Sequence, residues 1–163
     1  MSLSIRRTIV ALFNGSRQAV DLVKALNEKE LANNQISLIT PRKRLEDMET
    51  AAEVAVPGID ALEGWLVQID DIDIPGVGRV TAGGPFAGAI GQGDKNISDI
   101  LTYYGVAASR AKVYQEEVKR GKILAVIETN NDKASETANL MEQMGGHKVT
   151  KWSKNKNKWG KRS

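Results

Sequence analysis

Thr8-Ile9-Val10-Ala11-Leu12-Phe13-Asn14-Gly15-Ser16 is a short apolar run stopped by an Asn-Gly pair, and it reads as a buried strand closed by a turn. Ser16 stands where a helix N-cap is wanted. Beyond it Ala19, Leu22, Val23 and Leu26 recur at i, i+3, i+4 and i+7, the stripe that lays one helix face on a core. Gln35 to Thr40 alternates polar and apolar residues around Ile36, Leu38 and Ile39 and ends at Pro41, as a second strand would. Residues 8–40 therefore form one β-α-β unit.

Working outward to the far end, residues 122–152 repeat the pattern. Ile123 to Ile127 is an apolar run, Asn130-Asn131-Asp132 supplies a turn and cap, and Ala134, Ala138, Met141 and Met144 share a helical face that ends at Gly145-Gly146. His147 to Trp152 is then a last strand. Setting Ile9 against Ile123 brings Val23 to within one residue of Ala138 and Leu26 to within one of Met141. Two such units can pair their strands into a four-stranded antiparallel sheet with both helices on one face. The expected class is thus α+β and ferredoxin-like, with Ile9, Ala11, Phe13, Leu38, Leu124 and Val126 facing helices or the intervening segment.

That segment, residues 41–121, is far longer than the hairpin of the plain topology and must carry structure of its own. Leu45 to Val54 is charged and helical in pattern, closed by Pro57-Gly58. Ile59, Leu62, Leu66 and Ile69 fall at helical spacing beside Trp65. Ile97, Ile100, Leu101 and Tyr104 mark a helix ended by Gly105, and Ala107, Ala111, Tyr114 and Val118 mark another ended by Gly121. Between them lies a glycine-rich centre: from Pro57 to Gly93 the chain holds nine of its 15 glycines and three of its four prolines. These glycines are assigned to turns and close packing. The expected organisation is one domain, 1–152, with a large and mostly helical insertion, followed by a basic tail, 153–163.

The opening Thr8 to Ser16, the centre Ile74-Pro75-Gly76-Val77-Gly78-Arg79-Val80-Thr81-Ala82-Gly83-Gly84-Pro85, the helix from Gly105-Val106 through Tyr114-Gln115-Glu116-Glu117-Val118, and the strand Ile123 to Glu128 together resemble the general stress protein 17M-like family of bacterial stress-induced proteins. The likeness covers about residues 5–150. It implies bacterial origin and stress-linked expression, and it offers no catalytic residue to carry over. Asp70, Asp71, Asp73, Asp94 and Lys95 interrupt the insertion, where relatives look more apolar, so membrane association through the insertion is not expected.

Composition narrows the chemistry. There is no cysteine and a single histidine, His147, so thiolate chemistry, disulfides and two-histidine metal sites within one chain are excluded. The glycine stretch does not follow a phosphate-binding loop: after Gly76 and Gly78 the third glycine of G-x-G-x-x-G would fall at Thr81, and no Gly-Lys-Ser/Thr follows. Asp70, Asp71 and Asp73 miss the EF-hand spacing. The longest uncharged run there, Val80 to Gly93, is fourteen residues, short of the roughly 18 to 20 that a membrane-spanning helix needs. With no signal-like segment at the N-terminus, the expected location is cytoplasmic. No cofactor is expected and no enzymatic constellation stands out.

Charge is distributed unevenly. Seven of the 23 Lys and Arg lie in residues 148–163, which contain no acid, so residues 1–147 hold the other 16 against all 20 acids. Lys148, Lys151, Lys154, Lys156, Lys158, Lys161 and Arg162 are interleaved with Trp152 and Trp159, pairing phosphate-neutralising charge with surfaces on which bases stack. A nucleic-acid partner, a lipid-headgroup surface and a merely solubilising end all fit this composition. A second expectation is that the insertion around Trp65, Leu66, Ile74, Val77, Val80 and Phe86 contributes to a homo-oligomer, a symmetric dimer, because an exposed apolar patch of this size is uncommon on a monomer. The leading functional expectation is a non-enzymatic stress-response protein acting through self-association or partner binding, with nucleic-acid association through the tail as the alternative.

Overall fold

The computed structural model of the protein describes residues 6–29, 35–41, 70–74, 76–86, 89 and 96–153. In chain order these contain β1 (Arg6–Phe13), α1 (Ser16–Glu28), β2 (Ile36–Pro41), β3 (Asp70–Ile74), β4 (Gly78–Gly83), α2 (Ile97–Tyr103), α3 (Ala108–Lys119), β5 (Ile123–Asn130), α4 (Asn131–Gln143) and β6 (His147–Ser153). The strands form one sheet in the order β3-β4-β2-β5-β1-β6, every neighbouring pair antiparallel.

The two terminal units meet at the centre of this sheet. β1 and β5 pair along their whole length, from Arg6 opposite Asn130 to Phe13 opposite Ile123, and β2 and β6 flank them. Their uninterrupted apolar runs have a simple cause: the sheet is covered on both faces. Ile9, Ala11, Phe13, Ile36, Leu38, Ile123, Ala125 and Ile127 point to α1 and α4, where they meet Leu22, Val23, Leu26, Ala134 and Met141. Val10, Leu12, Ile39, Leu124 and Val126 point the other way and meet Ile97, Leu101, Tyr104, Ala111, Tyr114 and Val118 of the α2–α3 layer. Leu38, Ile9, Ala11 and Phe13 thus face the terminal helices, whereas Leu124 and Val126 face the inserted ones.

Three expectations change. The sheet has six strands rather than four, because Asp70 to Gly83 forms a β-hairpin that extends it beyond β2. In that hairpin Ile72, Ile74, Val80 and Ala82 line the second core, a period of two that a helix could not produce. The turn needs glycine: the Val77 N–H donates to the Ile74 carbonyl at 3.0 Å, with Gly76 at φ +80 in the third position of a type II turn. The glycine-rich centre therefore builds a strand pair, not only contacts between helices. Lastly, the N-cap of α1 is Gly15, which makes no side-chain capping bond, and Ser16 is the first helical residue.

α2 and α3 stand where the apolar spacing places them. α2 starts with a capping box in which the Asn96 side chain accepts from Asp99 N–H at 3.0 Å while the Asp99 carboxylate accepts from Asn96 N–H at 3.2 Å. Both elements end in paired back-bonds that satisfy their last carbonyls, Gly105 to Thr102 with Val106 to Leu101, and Gly121 to Val118 with Lys122 to Glu117. The helices read over Leu45 to Val54 and Ile59 to Ile69 lie outside the described residues.

Candidate functional site

The basic end of the chain enters the described structure as β6, an outer strand of the sheet. β6 runs antiparallel to β1, so its C-terminal residue meets the start of β1: Ser153 lies opposite Arg7. The Arg7 Nε donates to the Trp152 carbonyl at 3.3 Å and its Nη1 to Asn131 Oδ1 at 2.6 Å. Arg6 reaches Asn130 Oδ1 at 3.3 Å and lies 3.9 Å from the Glu128 carboxylate. Two arginines therefore flank the point from which Lys154 and the rest of the tail continue. Neither was singled out from the sequence; their place follows only once β6 is known to pair with β1.

On β6 itself the candidates divide by role. Lys148 and Lys151 are exposed; Lys151 Nζ donates to Ser135 Oγ on α4 at 3.1 Å. Trp152 is half-buried against the second core, and its Nε1 donates to Thr150 Oγ1 at 2.7 Å. Its ring is thereby held by the fold, which leaves Trp159 as the residue suited to base stacking. Lys154, Lys156, Lys158, Trp159, Lys161 and Arg162 lie outside the described residues. Lys133 of α4 is also exposed. Glu128 lies beside Arg6, Asp132 stands in the first turn of α4, and Glu136 pairs with Lys29 at 3.4 Å.

Of the expected apolar interface, the described residues are packed within the chain. Ile74, Val80 and Phe86 are 2%, 0% and 0% exposed within a single chain, and Val77 packs partly buried against the same core. The hairpin and the α2–α3 layer bury one another, so these side chains hold the fold together instead of waiting for a second copy. Trp65 and Leu66 lie outside the described residues.

Other constellations read from sequence are also placed. Asp73 is exposed and pairs with Arg79 across the hairpin at 3.3 Å, a surface bridge of small energetic weight. His147 is exposed at the start of β6. Among the described residues no group of three or more His, Asp or Glu could hold a metal ion, and no helix is long and apolar enough to cross a membrane. A shallow groove between α1 and α4 is lined by Leu26, Lys29, Lys133, Glu136, Thr137 and Leu140. Two buried phenols titrate abnormally: burial pushes Tyr104 up to about 12, helped by the charge of Glu128, and burial raises Tyr114 against the opposing effects of the Thr150 hydrogen bond and the Arg110 charge.

No protein-family model, curated protein or solved structure matches the chain.

Proposed function

We propose that this chain is a non-enzymatic, cytoplasmic stress-response protein that works by binding nucleic acid along a basic rim made of the β6 edge, Arg7 and the tail. The observation that carries the reading is the junction at Ser153. The tail, with its five further cations, leaves the body beside Arg7, and Lys148 and Lys151 are exposed on the strand that leads to it. A run of cations continuous in sequence with those of β6 suits a phosphate backbone, and Trp159 supplies a face for stacking. Burial of Ile74, Val80 and Phe86 removes the argument for dimerisation through the apolar insertion. For the fold, we read β2-β5-β1-β6 with α1 and α4 as a ferredoxin-like unit into which residues 41–121 insert a hairpin and two helices. The strand order and the repeat of strand, helix and strand support that reading.

The test is binding of a fluorescent oligo(dT) across a salt series, with the full chain and with a variant ending at Ser153. The full chain should bind with an affinity that falls steeply as salt rises. Removing Lys154, Lys156, Lys158, Lys161 and Arg162 should flatten the slope of log K against log salt by about 3.5, at roughly 0.7 per phosphate on single strands. Equal slopes for the two proteins, or no binding by the full chain at low salt, would refute the proposal.

A further inference from the structure

Lys148 is the one non-glycine residue with positive φ among the described residues, at +52. It sits in a β-bulge: Val10 pairs with Thr150 and Leu12 with His147, so Lys148 and Val149 together oppose Ala11. Such a position favours glycine, and a lysine there is strained. The conformation is held from outside the strand. The Tyr114 hydroxyl, on α3, donates to the Lys148 carbonyl at 2.5 Å and lies 2.7 Å from Thr150 Oγ1. Because the only phenolic proton is used on that carbonyl, Thr150 must donate to Tyr114, and Thr150 in turn accepts from Trp152 Nε1. The donors run Trp152, Thr150, Tyr114 and end on the accepting Lys148 carbonyl, with each proton assigned. Its members are mutually strengthening, because each donor polarises the next.

We propose that Tyr114 is a positioning residue that fixes the Lys148 bulge so that the Lys148 ammonium, together with Arg110 one turn before Tyr114, extends the nucleic-acid-binding rim from β6 onto α3. Arg110 is exposed and one helical turn before Tyr114 on α3, the i to i+4 spacing that places two side chains on one face. Its charge is felt at the Tyr114 hydroxyl. A phosphate backbone crossing the rim would meet the Lys148 charge at the bulge and the further cations of residues 154–163. The strain at Lys148 then has a use: glycine would relax the backbone but would deliver no charge.

This inference rests on the nucleic-acid reading, and the experiment separates the two. Oligo(dT) binding is measured across salt for the full chain, Lys148→Ala, Tyr114→Phe and the double variant, with melting temperature recorded for these and for Lys148→Gly. Lys148→Ala should lower the salt slope by about 0.7. Tyr114→Phe, which keeps the buried ring, should lower it equally, and the double variant should lose no more than either single one, since both act on one contact. Lys148→Gly should melt a few degrees higher than the natural chain yet bind as weakly as Lys148→Ala. An unchanged slope in Tyr114→Phe, additive losses in the double variant, or full binding by Lys148→Gly would overturn the proposal. If truncation at Ser153 abolishes binding while Lys148→Ala is silent, the nucleic-acid reading stands and the positioning role falls; a full chain that does not bind at low salt ends both.

Discussion

At the scale of single residues, the clearest constraint is at Gly84, where the chain leaves β4 and crosses β2. A Cβ added there would stand 2.1 Å from the Ile36 carbonyl oxygen and 2.7 Å from Ser37 Cα, at φ +93. Backbone cannot yield as a flexible side chain can. The neighbouring Phe86 N–H donates to Ser37 Oγ at 3.1 Å in the same buried spot, so a shift would disturb that bond as well. Gly84→Ala is expected to cost on the order of 3 kcal/mol, adding left-handed strain to overpacking, read as a lower denaturation midpoint. Thr40 presents the opposite case. It is fully buried and its hydroxyl lacks a hydrogen-bond partner, so Thr40→Val, which keeps the shape and removes the stranded polar atom, should stabilise by about 1 kcal/mol in urea titration. A loss of stability in Thr40→Val would mean that the hydroxyl is satisfied in solution.

The elements show how much the sequence could tell and where it stopped. The β-α-β repeat was legible because Ala19, Leu22, Val23 and Leu26 carry a helical period and Ile9 to Phe13 is a short apolar run closed by Asn14-Gly15, as a buried strand is; that both of its faces are covered shows only in the fold. The hairpin at 70–83 was also written in the chain, in the alternation of Asp71, Ile72, Asp73, Ile74 and of Arg79, Val80, Thr81, Ala82. Its glycines drew attention to turns and packing, and a period of two over four residues on each side is a weak signal beside the helical spacings around it. The Arg7 position was not legible, because pairing of β6 with β1 is a long-range choice that no local spacing records. Since the hairpin closes the second core, Phe86→Ala should destabilise the fold by about 3–5 kcal/mol and leave the elution volume of the folded protein unchanged. A change of oligomeric state without loss of stability would restore Phe86 as an interface residue.

For the molecule as a whole, the decisive feature is that one sheet serves two cores. On the central strand β5, Ile127 is fully buried among the α1 and α4 contacts while Leu124 is fully buried beneath the hairpin, α2 and α3. Loss of either layer would expose one face of β1, β2 and β5 along its length, and apolar surface returned to water costs roughly 25 cal/mol for each Å². Neither layer can therefore leave cheaply while the sheet persists. The inserted elements and the terminal units are expected to unfold in one cooperative step. Ile127→Ala and Leu124→Ala, one on each face, should each lower stability by about 2–5 kcal/mol, with a single transition that coincides by far-ultraviolet and near-ultraviolet circular dichroism and an unchanged dependence on denaturant concentration. The experiment has a sharp alternative. If Leu124→Ala produced a first transition in which tertiary signal was lost while most secondary structure remained, the α2–α3 layer would be a separate unit resting on an independently stable four-stranded sheet, and the shared-core argument would fail.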